Sequence, residues 1–162
     1  MRMPVPVDAQ SGPWGGILLV YFSTHGRTAS VAERLAQTLV KEGLEVDLSD
    51  AAHAGDVDPI RHDVVVVGAS LHREPDRREI VEWIANHRPA LTDRPTALFS
   101  VRLTGAGDGG VAEPLGTARG AIDELVAETG WTPARSAAIA DRFALERFAD
   151  EIAILAASPL AA

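Results

Sequence analysis

The chain has 162 residues, enough for one domain of ordinary size. It contains no cysteine, which excludes disulfides, thiol catalysis and cysteine-ligated metal clusters. Its formal net charge of -8 argues against a nucleic-acid partner and suits docking to a basic protein. No run approaches the roughly 18 apolar residues of a membrane span. The start "MRMPVPVDAQSGPWGG" lacks the apolar centre of a signal peptide. These features predict a cytoplasmic protein with no transmembrane segment. They also predict a flexible N-terminal tail over residues 1–15 and one domain over 16–158.

The elements alternate along the chain. "GILLVYFS" (Gly16–Ser23) is a short apolar run with β-branched and aromatic bias, and predicts the first strand. A helix follows from Thr28 to Glu42, with Val31, Leu35 and Leu39 on its buried face and Gly43 as its C-terminal cap. "LEVDLSD" (Leu44–Asp50) alternates apolar and polar residues, as an edge strand does. "DVVVVGAS" (Asp63–Ser70) carries four consecutive valines, the pattern of a strand buried on both faces. Between these two strands "AAHAGDVDPIRH" has room for one or two helical turns. The next helix has Pro75 in its first turn, with Ile80, Trp83, Ile84 and His87 on neighbouring turns. "RPTALFSV" (Arg94–Val101) is the fourth strand, and a glycine-rich loop follows it. A helix over about Val111–Glu128 then turns Leu115, Ile122, Leu125 and Val126 inward. "ARSAAIA" (Ala134–Ala140) is a small-residue fifth strand. A last helix from Phe143 to Ala157 places Leu145, Phe148, Ile152 and Leu155 at helical spacing.

Right-handed crossovers then give an α/β fold: a doubly wound, five-stranded parallel sheet with helices on both faces. Ligands bind such sheets outside the carboxyl ends of the strands. The loops after strands 1, 3 and 4 therefore carry the candidate site. The first is "STHGRT". Ser23, Thr24 and Thr28 offer hydroxyls, Gly26 permits a close backbone turn, and Arg27 adds charge at a helix start, which already favours anions. The same residues would also serve as an ordinary N-capping turn. There is no Gly-Lys-Ser/Thr, so it is not a Walker loop. The GxGxxG match at Gly105, Gly107 and Gly110 follows the fourth strand, not the first, and does not mark a dinucleotide site. In "GASLHREP" the small Gly68 and Ala69 allow backbone or ligand to approach, with Leu71 and His72 at the crevice rim. In "SVRLTGAGDGG" Ser100 and the backbone of Val101–Thr104 face the same crevice, and Arg102 is placed to bond a carbonyl or an anion. His72 and Arg102 serve equally well as solvated loop residues. The five histidines show no metal-ligand spacing.

Together these three loops resemble the flavodoxin superfamily, in which the loop after the first strand wraps the phosphate of FMN and the other two clamp its isoalloxazine ring. The resemblance places Ser23, Thr24, His25, Gly26, Arg27 and Thr28 in the phosphate loop. It places Ser70, Leu71, His72, Ser100, Val101, Arg102, Leu103 and Thr104 beside the ring. The run "VVVVGASLHREPDRREIVEWIANHRPALTDRPTALFSVRL" and the Trp-x-Pro of "GWTPARSAAIA" are similar to the menaquinone-dependent protoporphyrinogen oxidases. That branch implies hydride transfer from a porphyrinogen to N5 of FMN, with a quinone as electron acceptor. Two features depart from it. The basic, aromatic insertion near the fifth strand is missing, since Ala140 runs through "DRFALERFADEI" into the last helix. Neither ring loop carries an aromatic beyond the His72 imidazole, so a partner subunit in a homodimer is one way to cover the ring.

Three functions follow. One is an FMN-dependent oxidoreductase of the protoporphyrinogen oxidase type, in which the flavin carries the chemistry and no general acid or base is assigned. Another is a small acidic electron carrier that needs only a redox partner. The last, a receiver-like regulator on the same fold, requires an acidic pair after the first strand, where this chain has hydroxyls.

Overall fold

A computed structural model describes residues 16–22, 26–51, 59–71, 74–101 and 115–157. The expected tail, the glycine-rich loop and most of the 51–62 connection lie outside these residues.

The first apolar run forms β1 (Ile17–Phe22), buried along its whole length. Gly26 precedes α1 (Arg27–Lys41), whose Leu35 and Leu39 are fully buried. Burying a leucine side chain contributes about 1.5–3 kcal/mol. The helix ends as the sequence predicts. The Gly43 N–H donates to the Val40 carbonyl and the Leu44 N–H to the Leu39 carbonyl, the paired bonds of a Schellman cap.

Strand β2 (Val46–Asp50) is an edge strand, and a single 3-10 turn, Pro59–Arg61, leads to β3 (Val64–Ala69). Arg94 holds that turn: its Nη1 donates to the carbonyls of Pro59, Ile60 and His62 at 3.2, 3.0 and 2.8 Å. Beyond β3 run α2 (Glu74–Asn86), α3 (Arg88–Thr92), β4 (Thr96–Val101), α4 (Leu115–Thr129), β5 (Arg135–Ile139) and α5 (Arg142–Ala157).

The sequence reading puts His87 on the turns of the helix after β3, whereas α2 ends at Asn86 and the short α3 follows it. Pro89 has no N–H for a helical bond, and its ring crowds the preceding turn. The helix therefore stops at Asn86 and restarts, with His87 as the new N-cap. The His87 ring stacks on Trp83 at 4.3 Å and bonds the Trp83 carbonyl, which fixes the junction.

All strands are parallel, in the order β2-β1-β3-β4-β5. The pleat divides the core in two. Ile17, Leu19, Tyr21, Val64, Val66 and Phe99 face α1 and α5, whereas Leu18, Val20, Phe22, Val65, Val67 and Leu98 face α2 to α4. Gly68 and Phe99 are register partners in β3 and β4. A Cβ on Gly68 would fall inside the Phe99 ring, so the space that the small residue leaves is filled by this side chain. Phe99 in turn meets Phe148 of α5 edge-on at 5.9 Å. The sequence expectation at Gly68 was an approach by backbone or ligand; the close neighbour here is a core phenyl.

The Trp-x-Pro segment is a fastening for the start of β4. Trp131 Nε1 donates to Thr96 Oγ1 at 3.1 Å, and the Ala134 N–H donates to the Thr96 carbonyl at 2.8 Å.

Candidate functional site

The strand order sets the location. From β1 the chain passes to α1 on one face of the sheet, and from β3 to α2 on the other. The carboxyl ends of these adjacent strands therefore open into a crevice, the usual ligand position in doubly wound sheets.

Gly26 forms one wall. Its φ of 85° is left-handed, a conformation that glycine adopts without steric cost, and it turns the chain abruptly into α1. The first helical bond runs from the Ser30 N–H to the Gly26 carbonyl at 3.0 Å. The helix itself thus offers no carbonyl to the N–H groups of residues 27–29. These groups and the helix dipole give the crevice a positive end. Arg27 stands at the same helix start.

Three hydroxyls line the base. Thr28, Ser70 and Ser100 are 1%, 3% and 2% exposed. Thr28 Oγ1 and Ser70 Oγ are hydrogen-bonded at 2.9 Å, which ties the start of α1 to the end of β3. The Leu71 N–H donates to Ser100 Oγ at 3.5 Å, a long bond that links the β3 loop to β4.

Proton counting makes these bonds informative. Two hydroxyls that bond each other use one O–H and leave the second. Neither Thr28 nor Ser70 has another side-chain partner among the described residues. Ser100 accepts a bond, and its own O–H has no acceptor among them either. Buried polar hydrogens are normally satisfied, so two unspent O–H donors at the crevice base fit a ligand with acceptor oxygens or nitrogens. An FMN phosphate and ring edge present such atoms.

The structure thus brings together Gly26, Arg27, Thr28, Ser70, Leu71, Ser100 and Val101 at adjoining strand ends. Leu71 (4% exposed) and Val101 (2%) are packed in the core, so their side chains are not rim surfaces. Ser23, Thr24, His25, His72, Arg102, Leu103 and Thr104 lie outside the described residues.

Tyr21 was not among the residues singled out from the sequence. It is the penultimate residue of β1, is buried, and pairs in register with Asp50 of β2. Burial raises the phenol pKa above 10.0, and the charges of Asp50 and Glu33 push it further in the same direction. Tyr21 is therefore held neutral. The sequence shows the two residues only as a tyrosine near the end of one strand and an aspartate at the end of another; their pairing follows from the register of β1 with β2. Among the described residues no cluster of histidine and acidic side chains is arranged to hold a metal ion.

The fold defines a doubly wound α/β protein. The chain matches the Flavodoxin domain family over residues 18–149 and belongs to that family. It is 30% identical over 86 residues to the protoporphyrinogen IX dehydrogenase [quinone] of Escherichia coli strain K12, covering 52% of this chain and 48% of that protein. The chain thus spans about half the length of the curated relatives it matches. Among solved structures, the two-electron reduced flavodoxin of Megasphaera elsdenii superposes with a TM-score of 0.59 at 17% identity, covering 85% of this chain and 98% of that one. A point mutant of the Pseudomonas aeruginosa flavodoxin gives a TM-score of 0.57 at 16% identity, covering 88% and 99%. At these identities the structural likeness speaks for the fold.

Proposed function

We propose that the crevice binds FMN and that the protein is an oxidoreductase of the protoporphyrinogen dehydrogenase type, with a quinone as acceptor. The observation that carries the cofactor assignment is the pair of buried O–H donors at Thr28–Ser70 and Ser100 that no acceptor among the described residues takes. In this proposal Ser23 to Thr28 hold the phosphate, with the α1 N-terminus balancing its charge. Ser70 to His72 and Ser100 to Thr104 hold the ring. Bound there, FMN supplies a two-electron acceptor for the chemistry. The Thr28–Ser70 pair offers one O–H to the ligand and Ser100 another. The packed Leu71 and Val101 side chains seal its base against water. The assignment to a porphyrinogen rests on the relative's activity and on the motif run from β3 to β4.

A second function, an electron carrier without its own substrate, is favoured by the net charge of -8, which suits docking to a basic redox partner.

Flavin fluorescence titration tests the shared premise. FMN should bind saturably and more tightly than riboflavin, which lacks the phosphate. No binding of either flavin refutes the cofactor assignment. Anaerobic assay of FMN-loaded protein with protoporphyrinogen and menaquinone then separates the two functions. Turnover supports the dehydrogenase, and its absence supports the carrier.

A further inference from the structure

We propose that a cleft between α1 and α5 is a second ligand site, which takes a multiply phosphorylated small molecule. Its walls follow from helical spacing. Arg34, Gln37, Thr38 and Lys41 share one face of α1, and Arg142, Leu145 and Glu146 share one face of α5. They line an open groove of about 440 Å³, within the size range of small-molecule pockets.

The charge balance is the notable feature. Three cations face one carboxylate in a chain whose net charge is -8. Among the described residues neither Arg34 nor Lys41 has an ion-pair partner. Arg142 pairs with Glu146 at 3.3 Å, but both side chains are well exposed, at 81% and 50%. Such pairs contribute little, so Arg142 is cheaply redirected to a ligand. The Thr38 hydroxyl is committed to the Arg34 carbonyl at 2.9 Å, which leaves the Gln37 amide as a neutral donor. Leu145, 6% exposed, gives the floor an apolar patch for the rest of a ligand.

The surplus of positive charge calls for a ligand with at least two negative charges close together. A guanidinium fork matches phosphate oxygens in a bidentate manner, and lysine adds a mobile point charge. The concave shape suits a small molecule better than a protein surface. At 1.5 Å per residue, the α1 residues of the site lie from ~9 Å (Arg34) to ~20 Å (Lys41) along the helix from Thr28. The proposal does not rest on the flavin assignment.

Calorimetric titration of FMN-saturated protein with pyrophosphate at low salt tests it, with amide shifts in NMR to locate the ion. Citrate serves as the carboxylate probe. Pyrophosphate should bind saturably, with shifts over residues 34–41 and 142–146. Binding should weaken by at least about tenfold in the Arg34→Gln/Lys41→Gln protein, which loses two charge-assisted contacts. It should be unchanged in Arg61→Gln, a surface cation elsewhere, and in Thr28→Val. Absence of saturable binding, equal weakening in Arg61→Gln, loss in Thr28→Val, or citrate binding as tight as pyrophosphate would each overturn the proposal.

Discussion

Replacing Thr28 by Val and Ser70 by Ala, singly and together, isolates the bond that ties α1 to β3. Both groups are almost fully buried and the bond is 2.9 Å long. Thr28→Val nearly preserves shape, and Ser70→Ala removes one oxygen. Each single change deletes the bond and strands the other hydroxyl, which costs about 1–3 kcal/mol. The double change strands neither, so it should cost less than the sum. We expect a coupling energy of about 1 kcal/mol. Urea unfolding of the four proteins gives this number directly, provided the m-values agree. Additivity within about 0.3–0.5 kcal/mol would refute the bond, because that is the behaviour of independent sites. The same proteins test the ligand assignment. If the spare Thr28 O–H meets the phosphate, Thr28→Val should weaken FMN more than riboflavin. Equal weakening would place that hydroxyl away from the phosphate.

Gly68→Ala should destabilise the fold by about 3 kcal/mol, at the upper end for overpacking, because the new Cβ falls inside the Phe99 ring. Gly68→Ala/Phe99→Leu should recover part of that loss in urea unfolding, and wild-type stability of Gly68→Ala alone would contradict the packing. Tyr21 is the only tyrosine, so tyrosinate absorbance reads it alone. Its folded pKa is raised chiefly by burial, so its contribution to stability is full below about pH 10, the unfolded value, and is lost as pH rises through the folded value. Alkaline unfolding should therefore shift in Tyr21→Phe, and titration of Tyr21 in the folded protein at the ordinary tyrosine pKa would be inconsistent with its burial. Trp131→Phe should cost about 1 kcal/mol in urea unfolding through loss of the Nε1–Thr96 Oγ1 bond; no change would mean that the bond contributes nothing to holding β4.

The sheet was legible because its strands are short and strongly apolar. The valine run of β3 announces burial on both faces, and Leu35 and Leu39 mark the inner face of α1. The break at Pro89 was harder to see, because proline is acceptable in the first turn of a new helix as well as disruptive in an old one. The use made of Gly68 was not legible at all. A small residue at a strand end signals close approach, but only register with β4 reveals that the neighbour is Phe99. The hydroxyls of the crevice were visible as residue types. Their mutual bond spans 42 positions in sequence, and no local spacing encodes such a pair.

That bond also changes how the crevice is understood. Thr28 belongs to a helix on one face of the sheet, whereas Ser70 directly follows the strand that feeds a helix on the other. A hydrogen bond between them crosses the crevice base, so the start of α1 and the end of β3 share one floor. Ser100 continues this floor to β4 through the Leu71 N–H. A ligand acceptor that takes the spare O–H of the Thr28–Ser70 pair also fixes which of the two donates to the other. Binding at either end of the crevice thus orders the hydroxyls at both, and the enzyme and the electron carrier would need this floor alike. What separates those two functions is the surface above it, where a carrier needs only an exposed flavin edge and a dehydrogenase needs room for a porphyrinogen.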